Sequence, residues 1–154
     1  MRRQTARSGF TLVELAIVLA IMGLIAGMAA PRYAAAAARY RLKAAAHRIA
    51  IDLAQARTAA RASSTAVRVT FSMTEPAQYQ LSGGGGLPSS TAVIVGNDPY
   101  RVKIKDVNFA GSASVIFDGY GSAVDGDILI GSGGLVGTIH YNNSSGVTTL
   151  AFGN

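Results

Sequence analysis

The feature that most constrains this chain is the apolar run at residues 10–30. It has 21 positions, of which only Thr11 and Glu14 are polar apart from two glycines. As a helix this run extends about 30 Å, which is the thickness of the hydrocarbon core of a bilayer. Secretory signal peptides have apolar cores of only about 7–15 residues. The run therefore predicts a transmembrane helix over 10–31, and the 154 residues leave room for one modest domain beyond it.

The charges around this run are distributed unevenly. The formal net charge is +6, and the nine residues before the run contain three arginines and no acid. By the positive-inside rule, residues 1–9 lie in the cytoplasm and the remainder lies across the membrane. Residues 62–154 contain four basic and six acidic residues, a net charge of −2, which does not favour a nucleic-acid partner. Because the sequence has no cysteine, disulfides and cysteine-ligated metal sites are excluded.

Residues 32–62 predict an amphipathic stretch of helix after the membrane segment. Alanine dominates this stretch, and neither glycine nor proline interrupts it. Apolar residues with a 4-3-4-3 spacing predict the face that packs on a domain. These residues are Leu42, Ala46, Ile49, Leu53, Ala56 and Ala60. Pro31 stands between the two stretches, and because it lacks an amide proton it predicts a kink or a locally melted turn.

Four arginines lie off the apolar stripe of this second stretch. They are Arg41, Arg48, Arg57 and Arg61. We interpret them as a solvated basic face. A polyanion-binding face and contact with the anionic headgroups of the inner membrane lipid are the alternatives.

From residue 63 onward the sequence predicts short β-strands separated by turns. The predicted strands are 66–71, 77–81, 92–95, 100–105, 114–117, 127–130, 137–141 and 147–152. The segment "SMTEP" predicts a hairpin turn, and "SGGGGLPSS" at 82–90 predicts a loop. Such a series indicates an antiparallel β-rich domain over 63–154. The fold class is therefore α+β, in which a long N-terminal helix leads into a β-rich head.

The carboxylate of Glu14 requires an explanation, because it stands inside the apolar run. A charge at the centre of a bilayer costs roughly 2.5–3.5 kcal/mol on insertion scales, and less near one end. Glu14 either remains wet at the cytoplasmic interface or has a cationic partner. Such a partner, supplied by the same chain or by a neighbouring subunit, would favour assembly and fix the axial stagger between subunits.

The segment "GFTLVEL", with a short basic leader before it and an apolar run after it, resembles the signal of type IV pilins and type II secretion pseudopilins. The resemblance implies that a prepilin peptidase cuts between Gly9 and Phe10 and that the new N-terminus at Phe10 is methylated. It also implies that Glu14 sets the register between subunits, and Pro31 stands where these proteins carry a helix-kinking proline. The new amine would lie about 6 Å along the helix axis from Glu14.

Later segments resemble the GspH/FimT type of minor pilin. The helix end "LAQARTAA" leads directly into the "VRVTF" strand, and "VIFDGYGSAVDGDILI" resembles that family's strand-turn-strand segment. The resemblance implies a pilin-like fold and a minor pseudopilin of type II secretion, with other pilin or pseudopilin subunits as partners. Some members end in an arginine-containing turn linked to DNA binding, but here "SGVTTL" contains Gly146 and no arginine.

Two other functions compete with this interpretation. A minor type IV pilin in pilus assembly or DNA uptake would use the same processing. A periplasmic binding protein with an ordinary signal peptide would instead be cut within 30–40, where small residues are frequent. DNA uptake could also use Arg101, Lys103 and Lys105 as a basic strand face, although we do not favour this.

No other motif predicts chemistry. His47 and His140 are separated in sequence and are interpreted as surface or half-buried residues. Asp118, Asp125 and Asp127 offer calcium ligands, but their spacing does not match an EF-hand loop and aspartate-glycine pairs form turns. The run of glycines at 83–86 lacks the lysine of a phosphate-binding loop. We therefore predict no enzyme activity, no cofactor and no metal.

Overall fold

The computed structural model describes residues 10–84 and 91–153. The predicted leader at 1–9, which includes Gly9, lies outside the described residues, as does most of the predicted loop at 82–90. The structure divides into two compact units between Ala35 and Ala36. The second unit contains the later part of the helix and all the strands.

One helix, α1, spans Leu12–Ser63 and is followed by eight strands. The strands are β1 (Val67–Ser72), β2 (Gln78–Gly83), β3 (Thr91–Ile94), β4 (Lys103–Asn108), β5 (Ser114–Phe117), β6 (Gly126–Ser132), β7 (Leu135–Asn142) and β8 (Val147–Gly153). This order confirms the predicted α+β class, a long N-terminal helix followed by an antiparallel β-rich head.

The strands form two antiparallel sheets of four strands each. The first sheet has the order β3-β2-β1-β5, and the second has the order β4-β6-β7-β8. β1 and β2 form the predicted hairpin around "SMTEP". The β6–β7 hairpin has a two-residue turn, Gly133–Gly134, whose φ angles are 56° and 83°. Glycine adopts positive φ angles without strain, so two successive glycines suit this turn and explain the "GSGG" segment.

The core of the second unit lies between α1 and both sheets. The whole predicted stripe is buried, with Leu42, Ile49, Ala56 and Ala60 fully inaccessible. Alanines on this face allow the helix to lie close to the strands, whose inward side chains include Val67, Phe117, Ile128 and Ile139. Two aromatic groups fill the remaining space. Phe71 contacts Tyr79 and Phe109, and Phe117 meets Tyr141 edge to face at 5.7 Å between ring centroids.

The predicted strand at 100–105 is wrong in its position. Arg101 has a φ of 48°, which breaks an extended strand, and β4 begins only at Lys103. The Asp98 carboxylate holds the Arg101 guanidinium across this turn at 2.6 Å. Arg101, Lys103 and Lys105 consequently do not share one strand face, and Lys103 is paired with Glu75.

Candidate functional site

The N-terminus of α1 is built by the residues that the sequence singled out. Leu12 is the first helical residue, and the hydroxyl of Thr11 accepts a hydrogen bond from the backbone N–H of Glu14 at 3.2 Å. A threonine at the N-cap with a glutamate three residues later is the pattern of a capping box. Glu14 also lies in the first turn, where a carboxylate interacts favourably with the helix dipole. The T-x-x-E spacing was visible in the sequence and was missed there.

The helix that follows this cap is apolar and uncovered. It meets the length and composition requirement for crossing a membrane, and its most apolar window has no buried residue. Phe10 is 77% exposed and Leu12 is 85% exposed. A monomeric soluble protein rarely exposes so large an apolar surface, and this exposure fits a helix that is covered by lipid or by other chains.

One side of this apolar helix consists of small residues. Their spacing is 4-3-4-3, and all of them are exposed. They are Ala16, Ala20, Gly23, Gly27 and Ala30. A Cβ added at Gly23 or Gly27 would meet no atom within 4 Å. In membranes, small residues four apart allow two helix backbones to approach closely.

Pro31 and Gly9 complete the predicted site residues. α1 includes Pro31 without interruption, so the chain does not melt there, and the kink stays a prediction. Gly9 lies outside the described part of the chain. The structure therefore brings together Thr11 and Glu14, while the cleavage at Gly9–Phe10 and the register role of Glu14 remain predictions.

A buried polar network fixes the later part of α1 on the first sheet. Asp52 is 4% exposed and accepts hydrogen bonds from the Tyr79 hydroxyl and from Arg48 Nε, the latter at 3.0 Å. Burial, followed by the hydrogen bond to Asp52, raises the pKa of Tyr79 well above its ordinary value. The nearby Asp52 carboxylate raises the pKa of Arg48. A buried carboxylate requires such partners, because an unpaired one would be strongly destabilising.

Two further arginines of α1 hold turns of the head. Arg57 donates to the Asn143 carbonyl at 3.4 Å, and Arg61 Nε donates to the Tyr120 carbonyl at 2.8 Å. The Arg57 guanidinium also lies where a side chain at Gly146 would be. Arg48 and Arg61 are exposed and Arg57 is half-buried, so these arginines form a largely solvated face, as predicted. All three also donate hydrogen bonds to acceptors of the same chain, which the sequence did not predict and which leaves them less available to a polyanion.

Two aspartates of the later segments act as acceptors of backbone hydrogen bonds. Asp118 accepts from the backbone N–H groups of Tyr120 and Ser122 at 2.9 and 2.8 Å. Asp125 accepts from the backbone N–H of Asn143 at 2.6 Å. These contacts confirm the interpretation for Asp118, whereas Asp125 bonds the β7–β8 turn and Asp127 lies on β6. Within 10–84 and 91–153, no three His, Asp or Glu side chains are grouped as a metal site.

The two histidines lie apart on the surface, as predicted. His47 is exposed on α1, and His140 on β7 bonds Asp127 of the adjacent strand at 2.6 Å.

Comparison with known proteins gives one match. Residues 4–30 match the family model of the prokaryotic N-terminal methylation motif. No curated protein and no solved structure shows significant similarity to the chain. Proteins with this pilin-like motif are structural subunits rather than enzymes, are processed by prepilin peptidase and assemble with other pilin subunits. The motif and the apolar helix fit inner-membrane anchoring of a globular head. The chain thus carries the N-terminal methylation motif at the start of an α+β fold, a combination that supports its place in the pilin and pseudopilin class.

Proposed function

We propose that this chain is a minor pseudopilin of the GspH/FimT type, a structural subunit of the type II secretion pseudopilus. The observation that carries the proposal is the methylation motif at 4–30, which overlaps a membrane-length apolar part of α1 whose most apolar window has no buried residue. The apolar surface of such a helix is buried by lipid in the membrane, and in a filament it is buried by other subunits instead. The exposed face of small residues supports close packing of helices there.

In this proposal the precursor lies in the inner membrane with residues 1–9 in the cytoplasm and the head in the periplasm. Prepilin peptidase cuts between Gly9 and Phe10 and methylates the amine of Phe10. That amine then lies one residue before the N-cap threonine, next to the first turn that contains Glu14. The side chain of Glu14 is exposed, so its carboxylate is accessible to an amine, most favourably that of a neighbouring subunit.

The mature N-terminus tests this proposal directly. The full chain is expressed with a prepilin peptidase, and its N-terminal peptide is analysed by mass spectrometry. We expect N-methylated Phe10, and Gly9→Val should impair its formation because it changes the residue immediately before the cut. A mature chain that starts at residue 30 or later would overturn the proposal in favour of a periplasmic protein with an ordinary signal peptide.

The charge of Glu14 is tested by two variants that keep the helix cap. Glu14→Gln retains the backbone N–H that Thr11 caps and removes only the charge, whereas Glu14→Asp keeps the charge. We expect normal cleavage in both variants and at least about a tenfold loss of filament incorporation for Glu14→Gln, equivalent to the loss of one charge pair in an apolar setting. Incorporation is measured by quantifying the chain in sheared filaments. Equal incorporation of the wild type and Glu14→Gln would reduce Glu14 to a helix-capping residue.

A minor type IV pilin in pilus assembly or DNA uptake is the second candidate. The observation in its favour is Arg57, whose guanidinium lies against Gly146 in the β7–β8 turn, where the sequence itself provides no arginine. Arg57 is, however, half-buried and engaged by Asn143, so it is poorly placed to contact phosphates. Genes for secretion or for pili beside this one would separate the two systems. DNA affinity with a steep salt dependence would favour uptake.

A further inference from the structure

The two sheets have four edge strands, and three of them are protected against pairing with another chain. β3 and β5 have only four residues each. β4 carries Lys103 and Lys105, and its pairing with β6 shifts register between Ile104 and Asp106. Short length, lysines and bulges are the devices by which proteins prevent edge-to-edge association.

β8 has none of these devices. It is seven residues long, its sequence VTTLAFG has no charge and no proline, and it pairs with β7 without a register shift. Within the described part of the head, no strand pairs with its second edge. A regular, uncharged edge of this length is a template for an additional strand.

A groove runs beside this edge, between β8 and α1. It consists of two adjoining cavities of about 460 and 220 Å³, which share Lys43 and Phe152. Ile139, Leu150 and Ala46 provide an apolar lining in the larger cavity. The space is sufficient for several side chains of a segment that lies along β8, because ligand pockets typically measure about 300–1,000 Å³.

The helical wall of the groove carries two cations, Arg39 and Lys43. Arg39, Lys43 and His47 follow one another at a spacing of four residues, so they form one row on α1, and all three are exposed. Lys43 lies over the ring of Phe152 at 5.8 Å from its centroid. None of the ion pairs within residues 10–84 and 91–153 includes one of these three residues.

We propose that the free edge of β8 binds an extended segment of a partner protein that carries acidic and apolar side chains. The segment adds a fifth strand to the second sheet, and every second side chain enters the groove. Apolar side chains contact Ile139 and Leu150, and carboxylates reach Lys43 and Arg39. This interaction surface is separate from the N-terminal motif, and it does not depend on how the N-terminus is processed.

A second copy of the chain fits this edge poorly. Pairing β8 with β8 would bring two rows of cations together, because each copy contributes its own Arg39 and Lys43 and no acid lines either cavity. Like charges brought together at an interface reduce affinity. The charge of the groove therefore selects an acidic partner segment over self-association.

Peptide binding to the full chain in neutral detergent micelles tests this proposal. The probe is a fluorescent peptide of the same length as β8, with blocked ends, in which threonine alternates with glutamate or valine. We expect saturable binding by fluorescence anisotropy, and at least about tenfold weaker binding when lysine replaces glutamate. Equal binding of the acidic and basic peptides would overturn the proposal.

Backbone pairing is tested by methylating every second amide nitrogen of the acidic peptide, in either of the two alternating sets. One set faces β8 and the other faces solvent, so we expect one methylated peptide to lose binding and the other to keep it. If both methylated peptides bind like the parent peptide, no strand is added and the proposal fails. This control leaves the protein unchanged and is therefore independent of its folding.

A matched pair of charge reversals locates the site. Lys43→Glu should weaken binding of the acidic peptide about tenfold, whereas Lys105→Glu, the same change on the opposite edge strand, should leave it unchanged. If both variants weakened peptide binding equally, the attraction would be non-specific, and the proposed binding site beside β8 would be wrong. Absence of peptide binding together with dimers that Lys43→Glu stabilises would instead assign the edge to a second copy.

Discussion

The two parts of α1 have similar compositions but opposite surroundings. Residues 10–30 and the stripe from Leu42 to Ala60 are both rich in alanine and aliphatic residues. In the first part, residues 10–28 and Ala30 are all exposed, whereas the stripe is almost completely inaccessible. What distinguishes them is the placement of charge, because the later part has cations beside its stripe and the first part is apolar on every side. A helix that is apolar all round is covered by lipid or by other helices, and an amphipathic one is covered by its own domain.

The polar contacts of the two parts differ in the same way. The later part is fixed to the head by Asp52, which is buried between Tyr79 and Arg48. The described residues of the first part have polar side chains only at the start, in Thr11 and Glu14. Substitutions in the later part should therefore change the stability of the head, and those in the first part should change anchoring and assembly.

The largest expected effect comes from shortening a buried leucine of the stripe. Leu53→Ala should lower the free energy of unfolding of the head by about 2–5 kcal/mol, because it leaves a cavity between α1 and the sheets. Leu19→Ala removes the same atoms from the uncovered part and should change that energy by less than about 0.5 kcal/mol. Denaturation of the detergent-solubilised chain, followed by circular dichroism, measures both. Equal losses would contradict the division of α1 into two parts.

A smaller loss should follow when the buried network is broken. Asp52→Ala leaves the Tyr79 hydroxyl buried without its acceptor and should cost about 1–3 kcal/mol of unfolding free energy. Tyr79→Phe keeps the contact of Asp52 with Arg48 and should cost less, about 1 kcal/mol. Asp98→Ala removes a surface partner of Arg101 and serves as the control, with stability nearly unchanged. An Asp52→Ala chain as stable as this control would show that the network does not hold the helix.

The smallest effect is a dependence of stability on alkaline pH. The raised pKa of Tyr79 means that the folded head retains a proton that the unfolded chain releases. The contribution of this group is therefore complete below the unfolded pKa of about 10 and decreases as the pH rises above it. Unfolding midpoints measured between about pH 9 and 11 should converge for the wild type and Tyr79→Phe. A constant difference between the two midpoints across this pH range would contradict the raised pKa of Tyr79.

Much of this molecule could be predicted from the sequence. The 4-3 spacing of Leu42, Ile49 and Leu53 identified the buried face of the helix, because that spacing repeats once per turn. The eight predicted strands are all present, although β4 begins three residues later than predicted, since Arg101 has a positive φ that interrupts the extended backbone. The capping role of Thr11 was also readable, because the cap and the glutamate are local.

The partners of charged side chains could not be predicted. Arg57 and Arg61 bond carbonyls of turns that lie about 60 or more positions away in the sequence. Asp52 meets Tyr79 across 27 positions. The spacing of apolar residues predicts which side of a helix is buried. It does not predict which distant carbonyl or carboxylate group accepts a hydrogen bond from the polar side.

The sequence alone determined the two local properties of this protein. One is the methylation motif with its membrane-length apolar helix, and the other is the alternation of short strands and turns, because both depend on residues close together in the chain. Only the tertiary structure decided which arginines are used internally, that β8 is the unprotected edge, and that a cationic groove lies beside it. These properties depend on strand order and on contacts between distant residues, which spacing along the chain does not specify.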